Sequence, residues 1–374
     1  MATNRELNGK FQTFFHDNVE MNKEETKINA RVVRHIVQKI LEYVNLLDPK
    51  FKKDPAKVGS FHSYSKTSNA DEFDFSILYD TGIVHSWTHV NQPAIYTVDA
   101  NHRISSSEVP LPILQRKYTL KTNDKGPYSV TEGGFIVPLK FKRHFENLVR
   151  DAINCLTENS LIDHRVEFED LSDSPAVTIT IKQRDAVDLN VDLAPMVNVR
   201  LPFKDEFEWP QHGAQWPSSE KIWQLKNIRV NFVTSDELYW KLSFAICERE
   251  LLVDIDKKGS GTFRRRSLRI MKGLREILWC PFDEDENLKG LTSYHLKNIL
   301  FLECERLPMD WQWERKLMGK RIIGMCEQLL KHLSEKNLPQ YFDRSNNLFK
   351  NKDNGALDHA ARMINWVLYS VKEN

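Results

Sequence analysis

The stretch from Glu72 to Ile77, EFDFSI, constrains the chain more than any other, because polar and apolar side chains alternate in it strictly. A β-strand repeats every two residues, so Phe73, Phe75 and Ile77 share one face while Glu72, Asp74 and Ser76 share the other. The fold must therefore contain a sheet with one buried and one polar face. On the polar face the two carboxylates stand ~7 Å apart along the backbone. Acids that close repel each other, and a divalent cation is the commonest compensation. A solvated edge strand is the plain alternative. Upstream, Gly59-Ser60 offers a close backbone approach and a hydroxyl, with eleven residues between Ser60 and Glu72.

A length of 374 residues favours two domains or one large bilobal body. The hydrophobic content of 41% can fill a core, and a formal net charge of +1 means that any nucleic-acid site must be a local patch. The N-terminus lacks the apolar core of a secretory signal, and no apolar run is long enough to span a bilayer. The five cysteines (Cys155, Cys247, Cys280, Cys304, Cys326) are odd in number, scattered and without metal-ligand spacing, which points to reduced thiols in a cytoplasmic protein.

Periodicity predicts a long helix over residues 24–47, its stripe made of Ile28, Val32, Ile36, Ile40, Val44 and Leu47. Beside that stripe run Lys23, Lys27, Arg31, Arg34 and Lys39, and Lys50, Lys52, Lys53 and Lys57 keep the sign positive. Spacing puts Lys23, Lys27, Arg31 and Arg34 on a ridge ~17 Å long, suited to successive phosphates, although a solvated helix face reads the same way. Residues 93–134 read as strands and loops, and 140–157 as a helix. Strands follow at 177–181 and 186–195, the second carrying Asp188, Asn190 and Asp192 on one face and closed by Pro195. Residues 201–219 suggest an irregular crossover and 227–233 another strand. Beyond about residue 238 the pattern turns helical, at 244–252, 267–278, 293–305, 313–333 and 358–371. Lys257-Lys258 and Arg264-Arg265-Arg266 mark a basic loop at the start of that lobe.

Gly-Ser, a spacer of this length and an acid-apolar-acid strand together form the pattern of the nucleotidyltransferase superfold. Four further stretches resemble the cyclic GMP–AMP synthase (cGAS) and Mab-21-type nucleotidyltransferase family: WKLSFAICERELL (240–252), SLRIMKGLRE (267–276), LTSYHLKN (291–298) and NLF (347–349). The resemblance implies an α+β bilobal fold, with a mixed-sheet lobe and long spine helix over 1–237 and a helical lobe over 238–374. It also implies a metal-dependent enzyme that joins ATP and GTP into a cyclic dinucleotide for innate immune signalling. Glu72, Asp74 and Asp192 would hold Mg²⁺ or Mn²⁺, with Asp188 the competitor of Asp192, because Val-Asp-Leu-Ala-Pro is the closer match. Ser60, Lys241, Ser243, Glu248, Lys272, Ser293, Tyr294 and Asn347 would handle bases and phosphates, with Tyr294 stacking on a base through its ring. Lys241 stands where the family has an arginine, so a planar fork is missing.

The vertebrate zinc loop is absent: the interval VDIDKKGSGTFRRR holds neither Cys nor His, so no zinc is expected. That lack resembles the invertebrate cGAS-like receptors and implies double-stranded RNA rather than DNA as activator. The RNA would contact Lys23, Lys27, Arg31, Arg34, Lys52, Lys53, Arg264 and Arg265, on a monomer or a ligand-induced dimer. The rival readings are a catalytically silent nucleotide-binding scaffold and a template-independent RNA nucleotidyltransferase.

Overall fold

The computed structural model describes residues 3–20, 23–56, 67, 71–80, 84–89, 95–98, 104–107, 118–122, 130–132, 135–169, 174–184, 186–199, 207–228, 230–234, 239–256, 261–281 and 290–373. After helices α1 (Asn4–Asn18) and α2 (Lys23–Leu47) come strands β1 (Glu72–Asp80), β2 (Val84–His89), β3 (Ile95–Val98), β4 (Ile104–Ser107), β5 (Tyr118–Thr122), β6 (Thr131–Glu132) and β7 (Phe135–Ile136). Helix α3 (Pro138–Glu158), strands β8 (Val166–Glu169), β9 (Val177–Ile181) and β10 (Leu189–Val199), helix α4 (Ser219–Lys226) and strands β11 (Val230–Thr234) and β12 (Trp240–Ser243) complete the first lobe. The second lobe holds α5 (Ala245–Asp254), α6 (Arg264–Leu274), α7 (Ser293–Arg306), α8 (Met318–Ser334), the hairpin β13 (Pro339–Gln340) and β14 (Asp343–Asn347), and α9 (Asn354–Glu373). This is an α+β bilobal fold.

Among the described residues, ten strands form one mixed sheet, running β6-β7-β5-β12-β11-β10-β9-β8, with β1 beside β10 and β2 beside β5. Strand β10 organises it. Along one edge it pairs in parallel with β1; along the other it pairs first with β9, up to Leu193, and then with β11, from Met196. The strand runs through Pro195 to Val199, whereas the sequence reading closed it at the proline. Pro195 falls where β9 hands over to β11, so its missing N–H breaks no ladder bond to either of them.

The spine helix α2 buries Ala30, Val33, Ile36, Val37, Ile40, Leu41 and Val44, while Ile28 is 57% and Leu47 37% exposed. The expected stripe was thus partly misplaced. Steps of four residues drift ~40° per step at 3.6 residues per turn, so a row taken every four cannot stay on one face. Helix α3 packs beside α2, and the Asp48 carboxylate, 2.9 Å from His144 Nε2, ties the end of the spine to it. Phe51, Tyr79, Phe141, Phe145 and Trp240 pack ring against ring beneath, and the Trp240 indole donates to the Ile136 carbonyl at 2.9 Å.

The sequence reading did not single out α1. Its start is written in Thr3 and Glu6, each capping the other's backbone, and its buried face in Leu7, Phe11 and Phe15. It lies on α6 and α8 of the helical lobe. Gly273 and Gly319 allow this close approach, since a Cβ at either would come within 2.5 Å of Val19 or 2.9 Å of Leu7. None of the described helices is long and apolar enough to cross a membrane.

Candidate active site

Pairing register builds the acid face. Asp74 lies directly opposite Asp192, and Glu72 opposite Asn190. On its other edge Asp192 faces Thr178, which in turn faces Glu169 on β8. Directly opposed residues point to the same side of a sheet, so Asp74, Asp192, Thr178 and Glu169 form one row across four strands. The Thr178 hydroxyl donates to Asp192 Oδ1 at 2.6 Å. Burial raises the Asp192 carboxyl above its ordinary pKa; Asp74 and Glu169 add like charge, and Thr178 opposes the shift. Asp188 is placed otherwise. It precedes the strand, accepts from Lys182 Nζ at 2.8 Å and from the Gln183 amide at 3.2 Å, and its pKa is held down chiefly by Lys182.

Carboxylate oxygens are hard donors that suit Mg²⁺, an ion usually held by one or two carboxylates plus substrate phosphates rather than by an all-protein cage. No three His, Cys, Asp or Glu side chains among the described residues are gathered tightly enough to enclose an ion. Glu72 and Asp74 are solvent-exposed, and Asp192, its pKa raised chiefly by burial with Asp74 and Glu169 adding like charge, stands beside them. The donor chemistry fits the ion.

A second group of side chains surrounds Tyr294 at the start of α7. Its hydroxyl donates to Glu248 Oε1 at 2.9 Å and accepts from Gln340 Nε2 at 2.8 Å. Lys297 Nζ reaches Glu248 Oε2 at 2.5 Å and lies 4.9 Å from the centre of the Tyr294 ring. Burial, with Glu248 adding, pushes the phenol well above its usual pKa, so it remains a neutral donor. The stacking expectation used only the ring, yet the hydroxyl is bonded on both sides. Lys241, on β12, is exposed at the surface, but surrounding protein lowers its ammonium pKa, Glu248 opposing and Lys352 adding to the shift. Ser243 is half-buried one turn before Glu248, accepting weakly from the Ala245 amide at 3.4 Å. Lys272 is buried in α6, and Ser293 is half-buried at the first position of α7.

Asn347 is engaged within its own hairpin. Its carbonyl accepts the Leu338 and Phe349 amides at 3.0 and 2.9 Å, and its amide donates to the Lys336 carbonyl at 2.9 Å. The side chain holds its own hairpin, and Gln340 on the partner strand is the carboxamide that meets Tyr294. Ser60, with Lys57, Lys257 and Lys258, lies outside the described residues.

The expected nucleic-acid residues separate into two groups. Lys27, Arg31 and Arg34 are exposed on α2, which Lys23 opens, and Lys27 pairs with Glu24 at 2.7 Å. Lys52 and Lys53 are exposed too, with Lys52 3.7 Å from Asp80. Arg264 and Arg265 turn inward. Arg264, only 2% exposed, pairs with Asp310 at 2.8 Å and lies 5.3 Å from the Trp313 ring. Arg265 donates to the Leu252 and Val253 carbonyls, closing the last turn of α5. Both serve the lobe's packing.

Sequence reasoning missed Glu169, Gln340, Lys297 and Lys352. Only Glu169 left a signal, the polar-apolar alternation of Val166 to Glu169.

A parallel strand pair bearing opposed acids, joined to a helical lobe that supplies Tyr294 and Lys272, defines a bilobal nucleotidyltransferase-type fold. The sequence profile of the Mab-21 protein nucleotidyltransferase domain matches residues 64–254, and that of the Mab-21 protein HhH/H2TH-like domain matches 263–366. The chain belongs to the Mab-21 family. It is 30% identical to Protein mab-21-like 3 of Danio rerio over 64% of this chain and 58% of that one. It is 25% identical to Protein mab-21-like of Drosophila melanogaster, over 97% of this chain and 94% of the relative. Protein mab-21-like of Aedes aegypti is 24% identical, with 91% and 87% covered.

Proposed function

We propose that the protein is a metal-dependent nucleotidyltransferase that joins ATP and GTP into a cyclic dinucleotide, in the manner of the cGAS-like receptors, with double-stranded RNA as its activator. The observation that carries the reading is the register of Asp74 against Asp192 with Glu72 beside them on one sheet face. Mg²⁺ or Mn²⁺ bound by these three acids would neutralise phosphate charge and favour ionisation of the attacking ribose hydroxyl. Thr178 fixes one oxygen of Asp192, leaving the other for the ligand. Tyr294, held from both sides through its hydroxyl, presents an aromatic surface that accepts either base, which suits two successive transfers in one pocket. Lys272 and Lys241 supply the positive charge that opposes the charge of the phosphates.

The exposed Lys27, Arg31 and Arg34 ridge supports phosphate-backbone contact along the spine, blind to base order. Arg264 and Arg265 drop out of that surface. The silent-scaffold reading has one observation in its favour, the absence of a gathered trio of ligands among the described residues.

Products decide among these readings and the polymerase one. With labelled nucleoside triphosphates, Mg²⁺ and double-stranded RNA, the wild-type protein is expected to yield a cyclic dinucleotide, and the double variant Glu72→Gln, Asp74→Asn none. Extended RNA would replace the reading with the polymerase one, and an inert wild-type protein would leave the scaffold.

A further inference from the structure

We infer that the cavity between α4 and the junction of α5 with α6 is a docking site for an arginine side chain of a partner polypeptide. The site shares no residue with the acid row or the Tyr294 group, and it does not depend on the nucleotidyltransferase reading.

The cavity holds about 450 Å³, within the range of clefts that bury a ligand. Residues 215–218 and the first turns of α4 wall it from the first lobe; the end of α5, Arg264 and Pro308 to Asp310 wall it from the second. Three acids line it, Glu220, Asp254 and Asp310, against two bases, Lys221 and Arg264. Both bases are taken. Lys221 Nζ lies 2.6 Å from Asp254 Oδ2 and 3.5 Å from Glu250 Oε2, and Arg264 Nη1 lies 2.8 Å from Asp310 Oδ1. An anion would find no uncommitted positive group there. The acids are only half used. Among the described residues Asp254 Oδ1 and Asp310 Oδ2 accept no hydrogen bond, and these two side chains are 48% and 66% exposed. Glu220 is exposed as well and accepts only from Gln224 Nε2, at 3.4 Å.

Two further observations point to a ligand. The Nε of Arg264, a residue 2% exposed, has no acceptor among the described residues, so the wall holds a donor that the fold by itself does not satisfy. Trp216, half-buried on the same wall, has its ring stacked on Phe301 with centroids 6.1 Å apart, which fixes it in place. A guanidinium lies flat on an aromatic ring and offers carboxylates a planar fork, whereas an ammonium is a point charge without that geometry. The surroundings favour a polypeptide over a small cation. Met309, which lines the cavity, is 44% exposed; Trp311, next to Asp310, is 64% and Trp223, next to Gln224, 68% exposed. Tryptophan and methionine are enriched where protein surfaces meet, and the apolar surface extends past what a single small molecule would cover.

The test selects phage-displayed random heptapeptides on the full chain and measures the recovered peptides by fluorescence anisotropy. They are expected to share an arginine beside an apolar residue. Exchange of that arginine for citrulline, which keeps the shape and removes the charge, should weaken binding about tenfold or more. The double variant Glu220→Gln, Asp254→Asn should weaken it by a similar factor. Glu220→Gln alone, an exposed change that leaves the ion pairs of Lys221 and Arg264 in place, should weaken it about threefold, so that a folding defect is not what is read. Peptides without a common arginine, or binding that survives the citrulline exchange or both variants, would overturn the site. N-acetylarginine amide displacing the peptides at equal concentration would make the occupant a small molecule. Self-association in sedimentation that Asp254→Asn abolishes would make it a second copy of this chain. Either result would overturn the partner assigned here.

Discussion

The spine helix and the start of helix α6 each carry a basic series, yet one series faces solvent and the other builds the interior. Lys27, Arg31 and Arg34 are spaced by four and three, so they stay near one side of a helix and leave the opposite side free to bury Val33, Ile36 and Val37. Arg264, Arg265 and Arg266 are consecutive, and at ~100° per residue three consecutive side chains sweep more than half of a helix's circumference. They cannot all face water. Arg264 goes into the core against Trp313, Arg265 closes the end of α5, and Arg266 lies 4.1 Å from the Phe15 ring under helix α1. Charge density in a sequence therefore locates a nucleic-acid surface only when its period leaves a buried face elsewhere.

The contrast is broken most severely at Arg264. Replacing it with alanine leaves a hole in a packed core while Asp310, already 66% exposed, simply resolvates. The expected loss is about 2–5 kcal/mol in denaturant unfolding, the range for emptied core sites. A loss under 1 kcal/mol would show that the guanidinium is not part of the interior. Buried ionisable groups should also betray themselves through pH. His295 has its folded pKa pushed to about 3 from an ordinary 6.5. Below pH 6.5 the unfolded chain binds a proton that the folded chain refuses, so stability is complete above that pH and falls as the pH drops toward 3. His295→Gln should flatten this slope between pH 7 and pH 5, and an unchanged slope would rule out His295 as its origin.

Smaller effects follow. Tyr294→Phe removes a hydroxyl bonded to Glu248 and Gln340, for an expected stability cost of about 1–2 kcal/mol and weaker nucleotide binding, while Tyr294→Ala loses the ring as well. At the mild end stands the double charge reversal Lys27→Glu, Arg31→Glu. On an exposed face it should alter stability by no more than about 0.5 kcal/mol. If RNA binds there as proposed, the same variant should lower affinity and reduce the slope of log affinity against log salt by about 1.5–2. A salt slope equal to wild type would remove the spine from the interface.

Much of the fold was legible because its signals are local. The alternation of Glu72 to Ile77, the helices of the second lobe and the long spine all rest on short periods. What failed depends on partners distant in sequence. The register of β1 against β10 joins residues more than a hundred positions apart; sequence preferred Asp192 over Asp188 only on a motif match, and the register adds the physical difference, Asp192 opposite Asp74 and Asp188 bound to Lys182. Pro195 looked like a stop because the handover from β9 to β11 is invisible in one strand's sequence. Asn347 and Gln340 are both carboxamides on one small hairpin, and only its bend shows which reaches Tyr294. Helix α1 was readable in principle, from the Thr3 and Glu6 cap and the four-residue spacing of Leu7, Phe11 and Phe15.

The most direct test compares product formation by Asp192→Asn and Asp188→Asn with that of the wild type, in Mg²⁺, ATP, GTP and double-stranded RNA. Asn at 192 keeps an acceptor for Thr178 and removes like-charge repulsion, so that variant should fold at least as stably as wild type at pH 7 and yet make no product. Asp188→Asn should retain most of the activity, since it disturbs an ion pair with Lys182 at the sheet's margin. An Asp192→Asn protein that still synthesises dinucleotide near the wild-type rate, or activity lost only in Asp188→Asn, would contradict the acid row as the catalytic centre.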